Sequence, residues 1–155
     1  MCHMGYRVNL ISSDVFIPAE FTQAAFDAVC ALNAKNDLKY GGRFGGYHPF
    51  EKPADTNSNG DPDRWFSWLP WNYDEICEDI VDVLELLGFC VEVCDNGDVF
   101  VYGYDRKSGQ EDLFFKTLAP YVRGSRMIWE GEDAEFYVWE FEDGEFYEHP
   151  AHLTW

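Results

Sequence analysis

The sequence predicts an α+β domain with a largely antiparallel sheet, about three helices packed mainly on one of its faces, and a C-terminal three-stranded meander. Three observations carry this prediction. Between Arg126 and Glu148 the turn signals Gly131-Glu132-Asp133 and Glu142-Asp143-Gly144 separate three short aromatic runs. In the middle run Tyr137, Trp139 and Phe141 share one parity while Phe136, Val138, Glu140 and Glu142 share the other, the period of two of a strand with one drier face. Further upstream, segments with three- and four-residue apolar spacing alternate with short β-rich runs.

In chain order, Tyr6 to Ile11 alternates and meets Ser12-Ser13-Asp14, so a strand, a turn and a second short strand at Val15-Phe16-Ile17 are expected. Pro18 suits the first turn of a helix, in which Phe21, Ala25, Ala28, Val29 and Leu32 form the apolar stripe and which ends near Asn33. No period survives from there to Arg64. The segment at about 34–64 is therefore predicted as a long loop, and loops beyond about 15 residues in a compact domain are usually functional or disordered. Arg64 to Leu69 alternates weakly and reads as a strand.

A second helix opens at Asn72, with Glu75 three residues on as a capping-box partner. Ile76, Ile80, Val83, Leu84 and Leu87 form its buried stripe, and Gly88 stops it. Phe89 to Cys94 and Val99 to Tyr102, joined by Asp95-Asn96-Gly97-Asp98, are a hairpin, because Asn-Gly supplies the positive dihedrals of a tight turn. Ser108-Gly-Gln-Glu111 is a further capping box, opening a short helix with Phe114, Leu118 and Tyr121 on one side. The meander follows, and Pro150 to Trp155 is a tail.

A chain of 155 residues, 46% hydrophobic and 18% aromatic, has the length and apolar content of one domain spanning 1–155. Its 29 acidic against 11 basic side chains give a formal charge of −18. That balance argues against direct binding to nucleic acid or to an anionic membrane, since phosphate contacts require Lys and Arg. It suits a basic protein partner, such as a nuclease or another nucleic-acid-binding protein. The five cysteines have no zinc spacing and read as reduced core thiols, with Cys90 and Cys94 on one face of a strand. Met1 to Met4 is too short and polar for a signal peptide, Met4 is an equally good start, and no apolar run reaches the roughly 20 residues of a membrane helix. A cytoplasmic protein is expected.

No P-loop, Rossmann glycine pattern, GxSxG or HExxH occurs in the sequence, so the expectation is non-enzymatic, with no catalytic residue and no cofactor assigned. Asp55-x-Asn57-x-Asn59-Gly60-x-x-Asp63 resembles the D-x-[DN]-x-[DN]-G loops of EF-hand, thrombospondin type 3 and dockerin repeats, which implies calcium on Asp55, Asn57, Asn59 and Asp63. Phe66 stands where the EF-hand has its bidentate Glu, and the alternative is a polar loop of turn-forming residues. Lys39, Arg43, Phe44 and Tyr47 make a basic, aromatic, glycine-hinged stretch on an acidic body, a candidate contact element.

The second helix presents Asp74, Glu75, Glu78, Asp79, Asp82 and Glu85 with no base between them, and Glu132 and Asp133 add charge at a meander turn. Such a face either imitates a phosphate backbone toward a basic groove or is simply solvated. A competing reading is a small-ligand pocket, or an enzyme's, lined by Trp65, Trp68, Trp129, Tyr137 and Trp139 between the meander and the long loop.

Leu118-Ala-Pro-Tyr-Val122 with Gly124-Ser125, then Ile128-Trp129-Glu130-Gly131-Glu132-Asp133, Val138-Trp139 and Asp143-Gly144, resembles a pattern in uncharacterised small acidic α+β proteins of bacteria and their phages. The resemblance implies a microbial or phage origin and no activity. The chain is also similar in kind to phage anti-defence proteins and toxin-immunity proteins. The functional expectation is an acidic protein-binding module: a phage-encoded, DNA-mimic-like inhibitor of a host nucleic-acid-handling or defence system, acting in the host cytoplasm, or alternatively a toxin-neutralising protein.

Overall fold

The computed structural model describes residues 6–42 and 54–151. Most of its strands and helices follow from the patterns above. The strands are β1 (Arg7–Ser13), β2 (Phe16–Ile17), β3 (Gly41–Gly42), β4 (Arg64–Trp65), β5 (Phe89–Val93), β6 (Val99–Lys107), β7 (Arg126–Gly131), β8 (Phe136–Glu142) and β9 (Glu145–Pro150). The helices are α1 (Thr22–Leu32), α2 (Tyr73–Ile76), α3 (Ile80–Leu87) and α4 (Glu111–Leu118). One mostly antiparallel sheet runs β2-β6-β1-β7-β8-β9, with β5 added on β6; β3 and β4 pair separately. β7, β8 and β9 form the expected meander, and the class is α+β.

The inner sheet face is dry because aromatic residues alternate onto it. Trp129 and Tyr137 are cross-strand partners, as are Met127 and Trp139, and Phe141 and Phe146. Helices supply the opposing layer. The Phe115 ring of α4 lies 5.0 Å from Phe89, 5.6 Å from Trp139 and 6.0 Å from Phe141, centroid to centroid. α1 contributes Ala25, Val29 and Leu32, and α3 contributes Ile80, Val83, Leu84 and Leu87. Aromatic pairs at these separations add to what burial alone gives. On the outer face Arg7, Asn9, Ile11 and Tyr102 are exposed. Val138 also has the outer parity but is buried.

The expected strand over Arg64–Leu69 survives only at Arg64–Trp65. Beyond it the Ser67 N–H donates to Gln110 Oε1 at 3.2 Å and the Leu69 N–H to Phe66 O at 3.1 Å, so the backbone turns instead of extending a ladder. Trp68 takes φ 74° in that turn. The expected single helix from Asn72 to Leu87 is broken. Cys77 is extended, and Asp79, with φ −155° and ψ 178°, starts α3 as its cap, its carboxylate accepting the Asp82 N–H at 3.0 Å. Asp82 returns the bond by accepting the Glu78 N–H at 2.9 Å. The break re-phases the apolar stripe, which leaves Ile76 53% exposed and buries Cys77 in its place.

Cys90 and Cys94, expected as core thiols, are exposed. β5 pairs only with β6, and a register shift between Cys90 and Val91 sets Phe89 and Val91 on the inner side. Among the described residues no helix is long and apolar enough to cross a membrane.

Candidate binding site

Among the predicted site residues, the carboxylates of α2 have definite tasks. Asp74 accepts from Ser58 Oγ at 2.5 Å and from the Asn59 N–H at 2.7 Å, and takes Asn33 Nδ2 at 2.9 Å from the end of α1. Glu75 accepts from the Thr56 hydroxyl and, at 3.2 Å, from the Asn57 N–H. The bonds from Thr56 and Asn57 hold the Glu75 carboxyl below its ordinary value. Glu75 thus clamps a loop and does not close a capping box with Asn72, whose side chain makes no cap bond. Asp79 and Asp82 cap α3, as described. Glu78, in the break between α2 and α3, and Glu85, on α3, are exposed.

These bonds also decide how the calcium-like string is arranged. Asn57 and Asn59 turn their backbone N–H groups toward the carboxylates of Glu75 and Asp74, and the Asp63 N–H donates to Asp61 Oδ1 at 2.8 Å. The loop over 56–59 is a cradle of donors around two anions. A cation requires the reverse, a convergence of oxygens. Asp63 is buried whereas Asp55, Asn57 and Asn59 are exposed. No group of three or more His, Cys, Asp or Glu among the described residues is placed to hold a metal.

Lys39, expected as a contact residue, is 3% exposed and points inward. Its ammonium donates to Asn33 O at 2.8 Å and Asn36 Oδ1 at 2.7 Å and lies 5.4 Å from the Phe66 ring centroid. Arg43, Phe44 and Tyr47 lie outside the described residues.

What the fold does bring together is a cleft of about 480 Å³ between the meander, the start of β1 and the N-terminus of α4. Its lining includes five carboxylates, Glu111, Asp112, Asp133, Glu135 and Glu148, the rings of Tyr6, Phe136, Tyr137 and Trp139, and His149, whose Nε2 lies 3.1 Å from Glu140 Oε1. No Lys or Arg is among the described lining residues. Each wall has a local cause. Trp139 and Glu148 are directly opposite on β8 and β9, and the indole N–H donates to Glu148 Oε2 at 2.5 Å. Trp129 backs Tyr137 with parallel rings 5.9 Å apart. Tyr6 crosses Gly131 so closely that a Cβ there would lie 1.9 Å from its hydroxyl, and that hydroxyl donates to Asp133 Oδ1. The bond pushes the Tyr6 phenol up to about 12 and holds the Asp133 carboxyl below its usual value.

On the helix wall Glu111 is buried and accepts from the Gly109 N–H at 2.8 Å and Ser108 Oγ at 3.2 Å. The predicted capping box does not form, because the helix starts at Glu111 with Gln110 as its N-cap and Ser108 donates to the carboxylate instead of accepting the Glu111 N–H. Burial pushes its carboxyl up against the pull of those backbone donors. Gln110 anchors this helix start. Its side chain accepts the Tyr40 N–H at 3.0 Å and donates to Leu38 O at 2.6 Å.

Sequence reasoning anticipated Tyr137, Trp139 and Asp133 as site candidates but not their assembly with Tyr6, Glu111 and Glu148. The cross-strand register of a predicted meander places Glu148 beside Trp139, so that much of the signal was present. Trp65 and Trp68 do not line the cleft, and Trp129 lies behind its wall. The fold is an α+β open-faced sheet with an acidic, aromatic cleft. No family model, curated protein or solved structure compared with the chain matches it.

Proposed function

We propose that the chain is a non-enzymatic acidic binding protein that engages a basic protein, with the cleft and the adjoining meander turn as its contact site. The observation that carries this reading is the cleft's composition: five carboxylates and four aromatic rings with no lysine or arginine among its described lining residues. The five carboxylates outnumber the one lining histidine, and an excess of one charge in a concave site focuses the field and speeds encounter with an opposite charge. The helix acids carry less of the reading, because Asp74, Glu75, Asp79 and Asp82 already accept hydrogen bonds from the chain itself. With the sequence resemblance, the concrete form is a phage-encoded inhibitor of a host nucleic-acid-handling or defence protein; toxin neutralisation is its near neighbour.

The test is affinity capture from bacterial lysate at low and then moderate salt, followed by titration of the purified captured protein. Wild type is compared with a cleft variant carrying Asp112→Asn, Glu135→Gln and Glu148→Gln, and with a helix variant carrying Glu78→Gln and Glu85→Gln. A basic nucleic-acid-binding protein held by wild type and by the helix variant but lost by the cleft variant is the expected result. Equal retention by all three sinks the reading.

A further inference from the structure

The cleft's shape and chemistry define the kind of cation it suits. Its five carboxylates line the walls without converging into a group that can hold a metal ion. A compact divalent ion requires several oxygens at one point, whereas an organic cation on a flexible chain reaches separated carboxylates in turn. Aromatic faces favour the same guest, since the negative face of a ring attracts ammonium and guanidinium groups within about 6 Å. Here Tyr137 is held by its parallel contact with Trp129, and the buried Trp139 holds the Glu148 carboxylate through its indole N–H, so a ring and an anion are positioned before any guest arrives. A volume of about 480 Å³ lies within the range of small-molecule sites and exceeds what one ion would fill.

We propose that this cleft is a receptor for a protonated alkylamine or alkylguanidine, with Tyr6 and Tyr137 flanking the cation and alkyl stem and Asp112, Glu135 and Glu148 meeting its N–H donors. The proposal rests on the function above only for the source of the cation, which there is a Lys or Arg side chain of the basic partner. A free di- or polyamine carries the same chemistry. Gly131 is a positioning residue: a methyl group at this point displaces the Tyr6 hydroxyl from Asp133 and removes one wall without altering any charge.

The experiment is an NMR titration at fixed ionic strength that follows the Trp139 indole N–H, with cadaverine, spermidine, Nα-acetyl-lysine methylamide and Nα-acetyl-arginine methylamide as probes and 1-pentanol as the uncharged control. The expected result is a saturable shift with the cations and none with the alcohol, weakened about ten-fold by Glu148→Gln together with Asp112→Asn, a change worth about 1.4 kcal/mol. Gly131→Ala weakens it as well. If that variant does not fold, Tyr6→Phe, which keeps the ring and removes the bond to Asp133, is read in its place. Tighter binding by the amino-acid amides assigns the cation to a protein partner, and tighter binding by spermidine assigns it to a free polyamine.

The proposal is overturned if pentanol shifts the indole as well as cadaverine does, if no cation saturates, or if the carboxylate substitutions leave the affinity unchanged. Its failure is separable from that of the functional reading. Cleft-dependent capture of a basic protein with no amine binding leaves a charge-held partner and no cation receptor. Amine binding with no captured protein leaves the receptor and removes the protein partner.

Discussion

Lys39 is the residue whose position departs furthest from what its type implies. Placed in a basic, glycine-hinged stretch it reads as a surface charge, yet its ammonium closes the C-terminal end of α1 by bonding Asn33 O and Asn36 Oδ1. Burial pushes its pKa down to about 8 from an ordinary 10.5, against the upward pull of Asp61 and Asp74. The folded chain therefore releases this proton before the unfolded chain does. Between about pH 8 and 10.5 the unfolded state binds more protons, so Lys39 adds a stability that rises with pH, by at most about 1.4 kcal/mol per pH unit. Urea unfolding of wild type and Lys39→Met at pH 7.5, 8.5 and 9.5 isolates the effect from other titrating groups. Wild type is expected to gain on the variant as pH rises; a constant difference would show that the ammonium is solvated. The Lys39 acceptors Asn33 and Asn36 are local, but the burial is not legible in the local sequence, because it depends on Phe66 arriving from a separate segment.

Among the elements, the break between α2 and α3 shows what a periodic pattern does and does not reveal. An apolar stripe read at helical spacing from Ile76 to Leu87 passes through Cys77-Glu78-Asp79 without interruption, so it predicts one helix. The signal for two was present, since Asp79 and Asp82 stand at capping-box spacing, but it competed with Asn72 and Glu75 at the same spacing. Glu75 of that second pair was diverted to the loop over 56–59, a partner no local pattern identifies. Asp79→Ala is expected to cost about 0.5–2 kcal/mol as the loss of a helix cap. Asp74→Ala is expected to cost about 1–3 kcal/mol, because Asn33 and Ser58 are left buried without this acceptor. Hydrogen exchange distinguishes the two. Asp79→Ala speeds exchange at the Asp82 amide and Asp74→Ala at the Asn59 amide, and uniform acceleration in both would refute the assignment of separate tasks. Elements with self-contained signals, the β5–β6 hairpin and the meander with Asp143 and Gly144 at φ 53° and 79°, were read correctly for the same reason in reverse, although of Asn96 and Gly97 only the glycine takes a positive φ, 93°.

At the scale of the molecule, charge and fold oppose one another. The sheet and its helical layer were legible because aromatic and aliphatic periodicity dictates which faces must be dry. The cleft was not, because it forms where the start of β1, the N-terminus of α4 and the far edge of the meander meet. A formal charge of −18 repels itself in the compact state, and the carboxylates around the cleft concentrate part of it in one place. Screening relieves this repulsion, since the Debye length falls from about 30 Å at 0.01 M salt to about 3 Å at 1 M. The melting temperature is expected to rise by about 5 °C over that range, the scale of 1–2 kcal/mol for a chain of this size. The Asp112→Asn, Glu135→Gln, Glu148→Gln variant separates a site maintained at a cost from an indifferent surface. At low salt it should melt higher than wild type, and the gap should close as salt is added. The closing gap is the diagnostic part. A variant that gains equally at all salt concentrations gains by packing, and one that melts lower throughout has lost bonds such as that between Glu148 and Trp139, in which case these carboxylates support the fold and do not oppose it.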